Sequence, residues 1–438
     1  MLGIATLVGL LLLLAIGTWR RPAVGFAAVL CLYGLKQWGQ DSSPFLSEHR
    51  EIANFAVAIL VAVGLWRMRG QQRPAHIKSL PRSWVLAIAL YLYAFASLAW
   101  APDPQGSLQQ WALDAPYVAV IAFAAPLLLQ NHEDVRHVCS WTVVVGGILC
   151  ALALFFGHWG ARGLLLAGDV LDQETNPLAI ASLGGTVCVM AVLSIQQASW
   201  WRKLLYAVLG PIALATIVRS GSRGQLLAAG LALLLGWPLA SSRRSFRAWL
   251  TLAVAVGVLS AVGFWIWQHV NLNVDSGRWD AQQSQEQVQG RLEIAGSLLQ
   301  RTISNPGSLI FGLGNSSSFY YAGIYPHIAA AEVLAEEGLV GMALYLSIMV
   351  ATGGSLSRLM TASVGRLDPV ARNAYGLLAA LFVFELTLTM KEGTLLSSTY
   401  VFAYAAIIGR MSQQPATEPD ASSAQPQITA LPFPNLMR

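Results

Sequence analysis

Residues 139–157 read CSWTVVVGGILCALALFFG, a run without a single charged side chain. Wound as an α-helix at 1.5 Å per residue, it reaches close to the ~30 Å of a bilayer's hydrocarbon core. The stretch is too long and too uniformly apolar for a helix half exposed to water. Working outward, comparable runs occur at about 2–18, 23–37, 53–66, 84–100, 115–129, 176–195, 203–219, 224–240, 248–268, 334–352, 373–389 and 395–409. The reading is an all-α polytopic membrane protein with about 12 transmembrane helices. The first two runs, split by Trp19-Arg20-Arg21-Pro22, carry the weakest individual signals.

Composition supports that reading. Of the 438 residues 55% are hydrophobic and 11% charged, where soluble domains carry roughly a quarter charged. Mean hydropathy is +0.55. A soluble enzyme, a disordered chain and a nucleic-acid binder are excluded. The net charge of +5 fits basic cytoplasmic loops better than an anionic partner. Cys31, Cys139, Cys150 and Cys188 all fall in or beside apolar runs, which suggests neither a disulfide framework nor a thiolate metal site. Met1 to Thr18 resembles the apolar part of a signal peptide but lacks a basic start and a cleavage pattern, so it reads as a retained span.

Basic residues set the expected orientation. Arg20, Arg21, the 67–82 segment, Arg136, Arg202, Lys203, the 243–247 and 358–372 segments, Arg410 and Arg438 place 18 cations on one side. The other nine are Lys36, Arg50, Arg162, Arg219, Arg223, Arg278, Arg291, Arg301 and Lys391. The richer side is cytoplasmic by this rule, and the alternation is consistent from residue 53 onward. The poorer side carries a polar stretch over 269–327, longer than any other loop and therefore of functional interest. Within it, RLEIAGSLLQRTIS (291–304) sets Leu292, Ala295, Leu298, Leu299 and Ile303 on one face of an amphipathic helix beginning at Arg291. The domain is expected to run over 1–411, with 412–438 a disordered cytoplasmic tail rich in Pro, Gln, Ser and Ala. No internal repeat of the kind that builds transporter cores is visible.

Three places on the poorer side concentrate polar chemistry. Arg219-Ser220-Gly221-Ser222-Arg223-Gly224 is a tight turn between two spans, and its guanidiniums suit phosphate or pyrophosphate oxygens. The same arginines could serve only to snorkel to lipid headgroups. Arg291 follows Gln287-Val288-Gln289-Gly290, where an anion would meet both a guanidinium and a helix N-terminus. His327, in Tyr325-Pro326-His327 before a membrane helix, can titrate near neutrality and act as a general base, or be an ordinary polar residue. Beyond it lie Glu332, Glu336 and Glu337. Asp169, Asp172 and Glu174, or Asp41 with Glu48, lack a spacing specific to a metal. Glu385 sits inside an apolar run, where an acid is costly.

Taken in order, Ser222-Arg223-Gly224, Gly290-Arg291, Asn305-Pro306 with Gly312-Leu313-Gly314, and Pro326-His327 leading to Glu336-Glu337-Gly338-Leu339-Val340-Gly341 form a pattern. In this order the chain resembles the O-antigen ligase family (WaaL, with the related Wzy polymerases); the remainder matches in hydropathy alone. The resemblance implies a GT-C-like glycosyltransferase of the Gram-negative inner membrane with its active site facing the periplasm. Its donor would be an undecaprenyl-pyrophosphate-linked O-polysaccharide and its acceptor a sugar hydroxyl of lipid A-core. Inverting transfer without metal or nucleotide is implied, with no nucleic acid involved. Carried over by motif, Arg223 and Arg291 would hold the pyrophosphate and His327 would be the catalytic base, with Arg219 and Glu336 as further site candidates. One departure is Ile328, where family members often have Asn. A polymerase using the same donor is the nearest rival. A lipid-linked-oligosaccharide transporter is a more distant one, since it should place ionisable residues near the midplane.

Overall fold

The computed structural model describes residues 2–69, 80–160, 164–165, 176–241, 257, 281–362, 369–391 and 393–413. The protein is all-helical, and the described residues hold no β-strand beyond an isolated bridge between Trp159 and Leu164. Among the described residues, ten helical segments are long and apolar enough to cross a membrane: Gly3–Arg20, Ile52–Arg69, Arg82–Trp100, Pro104–Leu128, His132–Phe156, Pro177–Gln197, Trp200–Arg219, Arg223–Ala240, Gly338–Thr361 and Pro369–Thr389. The chain is therefore a polytopic α-helical membrane protein. The apolar run at 248–268, the basic residues at 243–247, Arg162, Arg278, Asp169, Asp172, Glu174 and the tail from 414 lie outside the described residues, apart from Gly257.

The helices are α1 (Leu2–Arg20), α2 (Val24–Ser42), α3 (Pro44–Glu48), α4 (Ile52–Arg69), α5 (Arg82–Ser97), α6 (Pro104–Tyr117), α7 (His132–Phe156), α8 (Pro177–Ser194), α9 (Trp200–Arg219) and α10 (Arg223–Ala240). They continue as α11 (Ala281–Ile303), α12 (Pro306–Phe311), α13 (Ser317–Ala322), α14 (Ala329–Glu336), α15 (Gly338–Ala362), α16 (Pro369–Thr389) and α17 (Thr399–Met411). The long helices run back and forth between two ends, and polar contacts mark each end. At one end Arg410 donates to Leu127 O and Gln130 Oε1 (2.9 Å each), and Arg372 to Leu239 O (3.3 Å). At the other, Asn315 N donates to Ser97 Oγ (2.9 Å), Tyr93 to Phe311 O (3.0 Å) and Lys391 Nζ to Gln225 Oε1 (3.0 Å). Arg372 and Arg410 belong to the richer basic set and Lys391 to the poorer, so the charge alternation read from sequence corresponds to two physical ends. The start of α1 lies against Ser42, placing it at the end that carries Lys391.

Helix α2 shows why hydropathy alone undercounts buried helices. It contains Lys36, Gln37, Gln40 and Asp41, yet Val24–Leu32 is entirely buried among α1, α4, α7 and α8. A helix surrounded by protein can meet its polar groups with protein partners, as Gln37 Nε2 does with Asn176 O at 2.6 Å. Helix α6 behaves differently. Pro116 removes a backbone donor, and the helix widens to a π-type turn over Val118–Ala124 before tightening over Ala125–Leu128.

The described part of the long polar stretch forms three helices, α11 to α13, and α14 follows it before α15. Helix α11 starts at Ala281, because Gln282–Gln289 are good helix formers and Gly290 does not break the run. The expected start at Arg291 is thus corrected, and Arg291 projects from mid-helix with no helix N-terminus behind it. Its expected apolar face divides in two. Ala295 and Leu298 are buried with Thr302, which donates to Ala335 O of α14 at 3.3 Å. Leu292 and Ile303 are exposed instead, because α14 covers only one edge of a wide stripe.

Candidate functional site

The turn between α9 and α10 separates its two arginines. Gly221 takes φ +67°, which reverses the chain without a side-chain clash. Arg219, at the last position of α9, donates from Nη1 to Leu154 O and lies 5.0 Å from the Trp159 ring centroid. It therefore closes the C-terminal turn of α7, where cations meet exposed carbonyls and the negative end of the helix dipole. Arg223 opens α10 behind Ser222. Beside it, Gly224 is pressed against the Cδ, Cε and Nζ of Lys391, so any larger residue there would displace that side chain.

Lys391 was not singled out by sequence, and it organises the site. It follows α16, and its Nζ donates to Oε1 of fully buried Gln225 at 3.0 Å. Its carbonyl accepts from Arg291 Nη1 at 2.7 Å. Arg291 and Lys391, 100 residues apart in sequence, thus meet beside the first turn of α10, the helix that Arg223 opens. The loop that carries Lys391 is fixed at Leu395, whose N–H donates to Glu332 Oε1 and whose carbonyl accepts from Tyr91, both at 3.1 Å.

His327 lies within electrostatic reach of two of these cations. Burial pushes its pKa below 6.5, and the positive charges of Arg291 and Lys391 push it further down. The imidazole is therefore neutral at neutral pH, the form able to accept a proton. Its backbone has φ +60°, in the left-handed region that is uncommon outside glycine and adds strain. The ring packs on Tyr325, centroids 4.2 Å apart. A separate short helix, α14, stands between His327 and the apolar α15, so the histidine does not border the span directly.

The three glutamates beyond it form a contrasting, buried group. Glu336 accepts from the backbone N–H of Ser316 (2.6 Å) and Ser318 (2.9 Å), and Glu337 from Asn315 Nδ2 (2.9 Å). Gly314 N donates back to Glu336 O at 2.9 Å. These bonds clamp the 312–318 turn, whose Gly312 and Gly314 take φ +85° and +95°. Burial raises all three carboxyls, Glu332 well above 4.5 and Glu337 to about 8. Glu336, a candidate for substrate contact, is thus engaged with backbone.

The remaining candidates are dispersed. Asp41 is buried and accepts from His158 Nδ1 at 3.0 Å, whereas Glu48 ends α3 on the surface. Glu385 is buried in α16, a turn and a half before Lys391. Among the described residues no three His, Cys, Asp or Glu side chains gather as a metal set would. Cations such as Arg291 and Lys391 near a neutral imidazole are a combination that could offset negative charge on a ligand while a hydroxyl is deprotonated. No protein family matches the chain, and no curated protein matches its sequence.

Proposed function

We propose that this protein is an inverting membrane glycosyltransferase of the O-antigen ligase type. It would transfer an O-polysaccharide from undecaprenyl pyrophosphate to a sugar hydroxyl of lipid A-core, at the periplasmic face of a Gram-negative inner membrane. The observation that carries the reading is the bond of Arg291 to the carbonyl of Lys391, with both cations near enough for their charges to act on the His327 imidazole. A diphosphate leaving group needs no acid to expel it, because its oxygens already stabilise negative charge. What it needs is cationic stabilisation as the anomeric C–O bond breaks, which Arg223 and Arg291 provide in this reading. The neutral imidazole of His327 takes the proton from the attacking hydroxyl. Burial at the end of a helical bundle suits a reaction whose two substrates both carry lipid anchors. A GT-C-like arrangement of about twelve spans with the 269–327 segment over the reaction centre belongs to the same proposal.

The test is transfer by purified protein in detergent, with lipid-linked donor and lipid A-core, comparing wild type with His327→Ala. Turnover that requires His327 supports the assignment, and equal rates refute it. Failure of wild type to join the two substrates would refute the ligase reading. A polymerase would accept a second lipid-linked oligosaccharide in place of lipid A-core, so offering both acceptors separates the two enzymes.

A further inference from the structure

Lys391 lies two residues beyond the end of α16, yet its side chain reaches the first turn of α10. Three contacts fix it there. Gln225, itself without solvent exposure and bonded through Nε2 to Leu178 O (3.4 Å), receives the ammonium at 3.0 Å. Gly224 leaves the space through which the aliphatic stem passes. The carbonyl of Lys391 holds the Arg291 guanidinium, so one residue supplies a charge and orients a second. The loop is held in turn by Glu332 and Tyr91 at Leu395. Positive charge from Arg291, Lys391 and the N-terminus of α10, which Arg223 opens, therefore meets at one place, and a ligand bearing two or more negative charges lowers its electrostatic energy there.

Resting on the glycosyl-transfer reading, we propose that Lys391 is a third cationic ligand of the diphosphate leaving group and the residue that orients Arg291 toward it. In the transfer step a new C–O bond forms between the acceptor oxygen and the anomeric carbon. The anomeric carbon–phosphate oxygen bond breaks, and its electron pair moves onto the diphosphate. The acceptor proton passes to His327. The ammonium of Lys391, a compact charge on a flexible stem, follows the growing charge on the departing oxygens, while the planar forks of Arg223 and Arg291 grip two at a time.

The test uses full-length protein in detergent, with undecaprenyl pyrophosphate as the binding probe and the pH dependence of transfer as the second readout. Lys391→Gln keeps a donor for Gln225 while removing the charge, Lys391→Met removes both, and Lys391→Arg restores a cation. Arg50→Met, at an exposed position, controls for net charge. The expected result is roughly ten- to hundredfold weaker binding for the Gln and Met variants, the range of a lost charge-assisted hydrogen bond. Partial rescue by Arg and no change for Arg50→Met should accompany it. The acid limb of kcat/KM should move upward in both uncharged variants, because His327 loses a cation that depresses its pKa. Wild-type binding retained in Lys391→Gln, with the acid limb unmoved, overturns the role of Lys391 and leaves the glycosyl-transfer reading intact. Absence of binding by wild type overturns that reading itself.

Discussion

His327 and Glu336 stand nine residues apart and belong to regions of different chemistry, one with basic neighbours and one with buried carboxyls. The histidine sits half-buried, its imidazole under the influence of the Arg291 and Lys391 charges. The glutamate is buried with Glu332 and Glu337, its oxygens taken up by the N–H groups of Ser316 and Ser318. On the acidic side, charge-bearing groups serve the fold: they satisfy backbone donors in a turn that contains Gly312, Gly314 and left-handed Ser316. On the basic side they converge from distant segments and orient one another. In a chain with so few charges, the two uses are separable by what each side chain touches.

The largest expected effect is on the basic side. His327→Ala should lower transfer about 10²- to 10⁴-fold, the usual contribution of a general base, with the melting temperature little changed. Arg223→Ala and Arg291→Ala should each cost roughly a hundredfold, as loss of one transition-state donor does. Rates within a few-fold of wild type for either arginine would break the comparison at its centre.

The acidic side should respond in stability instead. Glu336→Ala strips acceptors from two backbone N–H groups, at about 1–3 kcal/mol each, so the melting temperature should fall by several degrees. A full-strength fold with lost turnover would place Glu336 in the chemistry.

The two sides also predict opposite pH behaviour. Glu337 titrates near 8 in the fold against 4.5 when exposed, so it favours the folded state fully below pH 4.5, and that stability is lost as pH rises through about 8. Melting temperature measured from pH 5 to 9 should fall with rising pH, and Glu337→Gln should flatten the slope. His327 works in the other sense. Its pKa is lowered, so the acid limb of transfer should lie below pH 6.5.

The smallest effect is expected at Arg219. Arg219→Ala should leave transfer within a few-fold and lower stability by about 1–2 kcal/mol, through the lost Leu154 bond and the Trp159 contact. A hundredfold loss of transfer would instead group it with Arg223.

Much of this was legible in the linear chain, though unevenly. His327, Arg223 and Arg291 stood out because each is polar beside a turn or an apolar run. Lys391 did not, since a single lysine after an apolar run looks like any snorkelling end residue. Gln225 was hidden inside a run that reads as lipid-facing. Arg219 and Arg223 flank the same turn; the motif favoured Arg223, and the packing of Arg219 against α7 is visible only in the fold. Helix α11 was placed too short because Gly290 looked like a boundary, and its buried edge depends on where α14 lies.

The sequence by itself determined the class, a polytopic α-helical membrane protein, and the existence of most of its long apolar helices. A bilayer forces each crossing segment to satisfy its own backbone hydrogen bonds and to be apolar along its whole length, so the signal is local and readable. The basic bias of the loops is equally local. Tertiary structure decided which charges act together. Arg291 and Lys391 meet beside α10 only after distant segments have packed, through bonds that span 100 and 166 residues, and Glu332 meets its backbone partner 63 residues away. Contacts at such separations are set by the shape of the assembled bundle, which no local pattern records.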